Sequence, residues 1–283
     1  MLINEPTTPI DRAGLDPHQE EIMLGAIAGD IAGSAYEWNK VGEQEFPLFP
    51  KAADFTDDSV LTIAVAEAIL RSADGVSPDY GTFIRDYGRK WKGRGYGGMF
   101  HKWLASPNPE PYNSFGNGSA MRVSPVAWAY DDEETVLAHA SRSAAVTHNH
   151  PEGIKGAQSV ALAIFLARNS EGKDAIRSRI ERDFGYDLQR SVDQIRPTYS
   201  FNETCQGSVP ESIIAFMDSS DFEGAVRNAI SLGGDADTQA CIAGSIAEAF
   251  YGGVPPGIES EVKKRLDAEL LAVVDEFRTR FQK

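Results

Sequence analysis

Apolar residues recur at helical spacing along most of the chain. Residues 60–70 are nearly all apolar, as in a helix that is buried on most sides. Between 259 and 281, apolar residues step by four or three along one predicted helix face: Val262, Leu266, Leu270, Val273, Phe277 and Phe281. The same pattern predicts further helices at 20–37, 79–91, 133–146, 153–168, 173–184, 210–217, 221–231 and 236–250. No segment alternates polar and apolar residues long enough to indicate a sheet, so we expect an all-α, single-domain orthogonal multi-helix bundle.

Two segments depart from the helical pattern. Residues 1–18, with three prolines, are expected to form an extended or disordered N-terminal arm, which leaves 19–283 as the folded domain. The stretch 93–118 is rich in glycine, proline and aromatic residues. Long connections of this kind inside a compact domain are usually functional or disordered. Its aromatic content indicates that the segment forms a packing surface, against either the rest of the protein or a bound molecule.

Small residues also recur within the predicted helix at 20–37. Gly25, Gly29 and Gly33 are spaced four apart, so they share one helix face. Glycines on one face allow the backbone of a neighbouring helix to approach closely. We therefore predict a tight helix–helix contact for this segment.

Composition and charge narrow the functional classes. The chain has 283 residues, 42% hydrophobic and 24% charged, which is ordinary for a globular protein near the upper size for one core. The net charge of −15 argues against broad binding to nucleic acid or anionic membrane, although a short phosphate-bearing ligand stays compatible. Cys205 and Cys241 lack metal-type spacing, and neither a signal sequence nor a membrane span is evident. The expectation is a cytoplasmic protein with reduced thiols.

Two short acidic motifs carry the clearest chemistry: Thr56-Asp57-Asp58 and Asp235-Ala236-Asp237-Thr238. Each combines two carboxylates with a threonine hydroxyl at a predicted helix start. These are hard oxygen donors, which suit Mg²⁺, Mn²⁺ or Ca²⁺ better than zinc. The competing interpretation is plain helix capping, because aspartate favours this position through hydrogen bonds and the helix dipole.

Other candidate residues flank predicted helix ends. Glu37 ends a segment of small and apolar residues, where a carboxylate must be paired, exposed or bound to metal. Asp30, within the same predicted helix, is interpreted as structural. Asn117-Gly118-Ser119 precedes a predicted helix and offers backbone N–H groups for an anion, or simply a serine N-cap. His148 and His150 have no third nitrogen or sulfur ligand nearby in sequence, so ligand contacts or loop hydrogen bonds are favoured over zinc.

Several familiar nucleotide and phosphate motifs are excluded. The segment 93–98 matches G-x-G-x-x-G, but a charged stretch rather than an apolar strand precedes it. The D-x-D at 235–237 also lacks the preceding apolar strand of an aspartyl-phosphate phosphatase. The sequence contains neither a His-Asp dipeptide nor a Walker P-loop.

Taken together, the motifs resemble the ADP-ribosylglycohydrolase family. The matching segments occur in family order: G-D-x-x-G-x-x-x-E (29–37), T-D-D-S (56–59), G-N-G-S-A-M-R (116–122), T-H (147–148) and G-G-D-A-D-T (233–238). The resemblance implies an all-α bundle that holds two Mg²⁺ ions, with Mn²⁺ as a substitute. The implied metal ligands are Thr56, Asp57, Asp58, Asp235, Asp237 and Thr238. The implied catalytic residues are Glu37, Asp57 and Asp58, and the implied substrate-binding residues are Asn117, Gly118, Ser119 and His148.

The resemblance also implies an activity. It is hydrolysis of the glycosidic bond between ADP-ribose and a modified protein side chain, with arginine as the leading acceptor and serine or nucleic acid as others. Free ADP-ribose would be released, and the segment 93–115 would cover the ligand. Two alternatives stay open: a catalytically weak ADP-ribose-binding or toxin-neutralising protein that acts by contact, and a two-metal phosphoesterase that acts on nucleotides.

Overall fold

Helices are the main secondary structure of the described part of the chain. The structure is a computed structural model, and it describes residues 22–38, 40–42, 45–73 and 75–282. No β-strand occurs in these ranges, so the predicted all-α class is confirmed. The arm predicted at 1–18 lies outside them. The helices are α1 (Leu24–Ser34), α2 (Asp57–Leu70), α3 (Tyr80–Lys90), α4 (Gly98–Ala105), α5 (Gly118–Met121), α6 (Ser124–Ala129), α7 (Glu133–Ala145), α8 (Pro151–Arg168), α9 (Lys173–Phe184), α10 (Val192–Ile195), α11 (Cys205–Met217), α12 (Phe222–Leu232), α13 (Ala236–Tyr251), α14 (Pro256–Arg265) and α15 (Ala268–Phe281).

The single helix predicted at 259–281 is wrong. Leu266 has an extended backbone, with φ −72° and ψ 139°, and it ends α14. The side chain of Asp267 then accepts a hydrogen bond from the backbone N–H of Glu269 at 2.9 Å and begins α15. The apolar spacing continues across the break because Leu266 is itself buried. Periodicity alone therefore misses the interruption.

Two further boundaries differ from the sequence prediction. The segment 93–118 is not one irregular connection, because it contains α4, which buries Phe100, Trp103 and Leu104. Helix α11 begins at Cys205 rather than at 210, and Pro210 lies inside it. Proline normally marks a first helical turn, so its presence concealed the true start.

Helix α13 occupies the centre of the bundle. Every residue from Ala236 to Phe250 is buried. It packs against α1, α8, α11 and α12, which surround it on several sides. A helix that is apolar and small-residue-rich around its whole circumference is typical of such a central position. Cys241 on this helix and Cys205 on α11 are buried and form no disulfide.

The contact between α1 and α13 is unusually close. A Cβ added at Gly29 would lie 2.0 Å from the carbonyl oxygen of Ala240. A Cβ at Gly25 would lie 2.4 Å from the carbonyl oxygen of Gly244, and one at Gly33 would lie 2.4 Å from that of Ala236. No side chain fits in these spaces, so the predicted tight contact is confirmed.

A buried carboxylate sets the relative position of the same two helices. Glu248 of α13 accepts hydrogen bonds from the backbone N–H groups of Met23 at 3.1 Å and Leu24 at 2.8 Å. These are free donors at the start of α1, which has no side-chain cap of its own. Burial raises the pKa of Glu248 to about 8. These two hydrogen bonds hold the N-terminal end of α1 against α13, and they therefore also set the position of the C-terminal end of α1.

The described helices include none that is both long enough and apolar enough to cross a membrane.

We predict that Gly29→Ala lowers the free energy of unfolding by about 3 kcal/mol, at the top of the range for overpacked cores. The new methyl group would meet backbone atoms of α13, which cannot rotate away. Gly257→Ala in α14 is the matched control, because its Cβ would meet nothing within 4 Å. Urea unfolding of both variants measures the effect. Equal stability of Gly29→Ala and wild type would contradict the described contact.

Candidate metal and substrate site

The N-terminus of α2 is held against α1 by Asp30. This buried carboxylate accepts hydrogen bonds from the backbone N–H groups of Thr56 at 2.9 Å and Ser59 at 3.1 Å. It also accepts from the Thr56 hydroxyl at 2.6 Å and from the Ser59 hydroxyl. Burial raises the pKa of Asp30, and these hydrogen bonds oppose the rise. The structural role predicted for Asp30 agrees with these contacts.

Five carboxylates gather where α1, α2 and α13 meet. Oxygen atoms of Asp30, Asp58 and Asp237 lie within 4.8 Å of one another, and so do oxygen atoms of Glu37, Asp235 and Asp237. Asp237 belongs to both groups. We call these five residues the carboxylate cluster. The two acidic motifs, distant in sequence, therefore meet in space.

The donor set of the carboxylate cluster suits a hard divalent cation. Asp58 Oδ2 accepts a hydrogen bond from the Thr238 hydroxyl at 3.3 Å and lies 3.4 Å from the hydroxyl oxygen of Thr56. Asp58 Oδ1 is buried and has no hydrogen-bond partner among the described residues. A buried carboxylate oxygen without a partner is costly, and an ion would supply the missing interaction. Because every candidate ligand is an oxygen atom, the residues fit Mg²⁺ or Mn²⁺.

Burial and, after it, mutual repulsion both oppose the charged state of the carboxylates in this region. Burial raises the pKa of Asp58 well above its ordinary value, and repulsion from Asp30 and Asp57 adds to it. Burial and repulsion from Asp58 and Asp235 do the same to the pKa of Asp237. The pKa of Asp57 is raised by burial and by Asp30, although this side chain is partly exposed toward the cavity. A cation at this position would remove much of the repulsion.

Glu37 lies just beyond the end of α1, half-buried beside the second motif. Burial raises its pKa, repulsion from Asp235 adds to the rise, and a hydrogen bond from the Trp38 side chain opposes it. The glutamate that ended the apolar segment in the sequence is thus partly buried, and it forms no ion pair with any residue that the structure describes. It belongs to the carboxylate cluster and faces the same cavity as the aspartates.

A cavity of about 270 Å³ opens in front of the carboxylate cluster. We call it the site cavity. It is lined by Glu37 and by all six predicted metal ligands, and also by Asn117, Gly118 and His148. The segment 93–115 contributes one wall, through Gly95, Gly97, Gly98, Met99, Phe100, Tyr112 and Ser114. The predicted residues therefore converge on one concave site.

Two of the predicted substrate residues have other contacts as well. Asn117 Nδ2 donates to Asp235 Oδ2 at 2.7 Å and to Ser208 Oγ at 3.1 Å, so its amide positions a carboxylate. Ser119 does not line the cavity. It is fully buried, and its hydroxyl donates to the carbonyl oxygen of Gly153 at 2.7 Å, which joins α5 to α8.

His148 is a neutral, oriented group in the wall of the site cavity. Burial and the nearby Arg122 lower its pKa well below the ordinary value. Arg122 Nη2 donates to the Thr147 hydroxyl at 2.9 Å, and that hydroxyl lies 2.7 Å from His148 Nδ1. The other ring nitrogen, Nε2, is directed toward Gly118, at 3.2 Å from where a Cβ would stand. His150 instead accepts a hydrogen bond from the backbone of Glu152 and caps α8.

Sequence reasoning did not assign a site role to several residues that line the cavity, among them Arg122, Phe201 and Glu203. Arg122 is fully buried, and its Nε and Nη1 atoms have no hydrogen-bond partner among the described residues. It stood at the end of the quoted G-N-G-S-A-M-R motif, which was the only available signal. Phe201 and Glu203 also line the cavity, and nothing in their local sequence indicated it.

Comparison with known proteins agrees with this arrangement. The sequence model of the ADP-ribosylglycohydrolase family matches residues 19–283. The chain belongs to this family. It is similar to ADP-ribosylhydrolase ARH3 of Gallus gallus, with 25% identity over 88% of this chain and 90% of the relative. It is also similar to ADP-ribosylarginine hydrolase Tri1 of Pseudomonas putida (strain GB-1), with 27% identity over 89% of this chain and 74% of the relative.

Further matches extend the comparison to the fold. ADP-ribosylhydrolase ARH3 of Bos taurus is 29% identical over 81% of this chain and 84% of its own length. A solved structure described as an ADP-ribosylglycohydrolase-related protein complex superposes with a TM-score of 0.68. It shares 24% identity and covers 92% of this chain and 96% of its own. That structural similarity shows a common all-α fold.

We predict that protonation of the buried carboxylates stabilises the cation-free protein as the pH falls, against the opposite contribution of His148. A carboxylate whose pKa is higher in the folded state binds protons before the unfolded chain does. Between the raised folded pKa and the ordinary value of about 3.9, unfolding becomes less favourable as the pH decreases, by up to about 1.4 kcal/mol per pH unit for each proton. Asp58→Asn removes one such group and should flatten this dependence.

Urea unfolding in EDTA, from about pH 8 to about pH 5, measures the dependence. Glu134→Gln removes an exposed carboxylate of α7 and controls for the change in net charge. An Asp58→Asn variant with the same pH dependence as Glu134→Gln would contradict the electrostatic description.

Proposed function

We propose that this protein is a divalent-cation-dependent hydrolase that releases ADP-ribose from a modified acceptor, with arginine side chains as the leading acceptor. The observation that carries the proposal is the pair of carboxylate groups that share Asp237 beside the site cavity. The relatives named as ADP-ribosylhydrolases and as an ADP-ribosylarginine hydrolase support it.

The residues that would hold two Mg²⁺ or Mn²⁺ ions are Thr56, Asp57, Asp58, Asp235, Asp237 and Thr238. When bound, the ions would supply Lewis acidity toward oxygen atoms of the ribose and of water. The chain itself supplies the negative charge. Cleavage at the anomeric carbon of a ribose develops oxocarbenium character, which nearby carboxylates stabilise. The position of Asp57 and Asp58 in the cavity lining supports this role for both residues.

Glu37 is the residue that we propose carries the proton. In hydrolysis, the bond between the anomeric carbon and the acceptor atom breaks, and a bond from the water oxygen to that carbon forms. Glu37 accepts the proton that the water loses and returns it to the leaving acceptor atom, so the carboxylate is restored. Its position beside Asp235 and at the cavity surface supports this role.

The part of the site cavity lined by Asn117, Gly118 and His148 would hold the diphosphate and the distal ribose. If the Thr147 hydroxyl donates to His148 Nδ1, then Nε2 keeps its hydrogen and can donate it to a ligand oxygen. The backbone of Asn117 and Gly118 lines the cavity beside that nitrogen and would also contact the ligand. Ser119 would contribute only through its backbone, because its hydroxyl is already donated to Gly153.

We predict that the protein releases ADP-ribose from an arginine-linked substrate with Mg²⁺, and that EDTA abolishes the release. Asp237→Asn should lose the Mg²⁺-dependent turnover because Asp237 belongs to both carboxylate groups. Glu37→Gln should lower kcat by about 10²-fold or more, the usual contribution of a positioned acid–base group. Chromatography of the products measures the release, and circular dichroism checks that each variant folds.

Glu134→Gln controls for charge and should keep full turnover. Release that persists in EDTA would contradict the role of the cations. Formation of AMP or phosphate in place of ADP-ribose would indicate a phosphoesterase. Tight binding of ADP-ribose without release from any substrate would favour the alternative of a binding or toxin-neutralising protein.

A further inference from the structure

Most of the exposed large apolar side chains in the described ranges surround the site cavity. There are five of them: Trp38, Val76, Met99, Phe115 and Phe201. Met99 and Phe201 line the cavity, and Phe115 lies between two residues that line it. Trp38 stacks on Phe201. Exposed apolar groups that gather at the mouth of one cavity mark a surface that contacts a ligand or a partner.

Trp38 and Phe201, which we call the aromatic pair, stack on each other at this surface. Their ring centroids are 5.7 Å apart and their planes differ by 12°. Trp38 is 77% exposed and Phe201 is 46% exposed, so aromatic area remains available on the outside. Packing within the fold therefore does not explain why aromatic residues occupy these two positions.

The aromatic pair is held in place by contacts on both sides. After Trp38, the Lys40 ammonium donates hydrogen bonds to the carbonyl oxygens of Arg196 at 2.9 Å and Tyr199 at 3.0 Å. Before Phe201, the Tyr199 hydroxyl donates to the carbonyl oxygen of Gly207 at 2.9 Å. The two chain segments are thus joined to each other beside the cavity. A fixed surface loses less conformational freedom when it binds.

The position of the aromatic pair relates it to the leaving group. Trp38 directly follows Glu37 in the chain. The Cα atom of Phe201 lies 3.2 Å from where a Cβ of Gly234 would stand, and Gly234 precedes Asp235. The pair is therefore at the carboxylate end of the site cavity. In the proposed reaction, this is the end where the acceptor separates from the ribose.

We infer that the aromatic pair binds the guanidinium group of an ADP-ribosylated arginine and makes the enzyme selective for arginine over other acceptors. The inference rests on the proposed function and names the group that this end of the site accepts.

The chemistry of the surroundings favours a guanidinium over the other acceptors. A guanidinium is planar and cationic, and it stacks on aromatic faces. Glu37 and the exposed Glu203 line the cavity next to the pair and would attract its charge. A serine acceptor offers neither a plane nor a charge. A nucleobase would also stack, but its flanking phosphates would meet these carboxylates and a net charge of −15.

Steady-state kinetics on matched substrates tests the inference. One peptide scaffold carries ADP-ribose on arginine or on serine, and an oligonucleotide carries it on a base. Phe201→Ala should raise KM for the arginine peptide about tenfold, as expected for loss of a desolvated cation–π contact, and leave KM for the serine peptide within about twofold. Because the Phe201 side chain has no polar atom that could take part in proton transfer, kcat should change little.

Three further variants separate stacking from other effects. Trp38→Phe keeps an aromatic face and should keep most of the affinity for the arginine peptide. Trp38→Ala should raise KM as Phe201→Ala does, and it should also lower kcat because Glu37 loses a hydrogen bond. Val76→Ala removes an exposed apolar side chain away from the site cavity and should change nothing.

The outcomes are distinguishable from failure of the proposed function. Equal changes in KM for the arginine and serine peptides, no change for either, or a preference of the wild type for the base-linked substrate would overturn the inference. If the wild type releases ADP-ribose from nothing, the proposed function fails and calorimetry decides the inference alone. The modified arginine peptide should then bind about tenfold more tightly than the serine peptide, and Phe201→Ala should abolish the difference.

Discussion

The close approach of α1 and α13 is the constraint on which the rest of the site depends. Backbone meets backbone at three glycines of α1, and Glu248 fixes the register at the opposite end of the contact. As a result, the last turn of α1 lies against the first turn of α13. Asp30 can then hold the start of α2, and Glu37 emerges beside the aspartates of α13. Substituting any of these glycines would move carboxylates as well as weaken packing.

The gathering of carboxylates at this point lowers the stability of the fold while it creates a possible binding site. Five carboxylates lie close together in a largely buried region, and their repulsion opposes folding. Hydroxyl and backbone N–H groups relieve Asp30, but one oxygen of Asp58 is left without a partner. Divalent cations would offset this repulsion and would turn an electrostatic cost into a binding site. Exposed aromatic side chains at the cavity mouth are a second feature that serves binding rather than folding.

Features that depend on a few neighbouring residues could be predicted from the sequence. The acidic motifs, the glycine spacing and Glu37 each carried a local chemical reason. The motifs and Glu37 meet at the site cavity, and the spaced glycines form the contact between α1 and α13. Phe201 and Glu203 could not be predicted, because only the packing of the segment before α11 brings them to the cavity. Leu266 continues the apolar spacing across the break between α14 and α15, so the spacing did not reveal the break. The glycines before α4 predicted an irregular segment, so the start of α4 was not predicted. The sequence offered the Ser119 hydroxyl as a possible ligand contact, but in the fold this hydroxyl donates a hydrogen bond to a backbone carbonyl oxygen of α8.

The measurement that tests the central claim most directly is a calorimetric titration of Mg²⁺ into protein stripped with EDTA. The carboxylate cluster predicts saturable binding of about two ions per chain, because hard oxygen ligands form two groups around Asp237. Absence of saturable binding would contradict the proposal that the carboxylate cluster holds divalent cations.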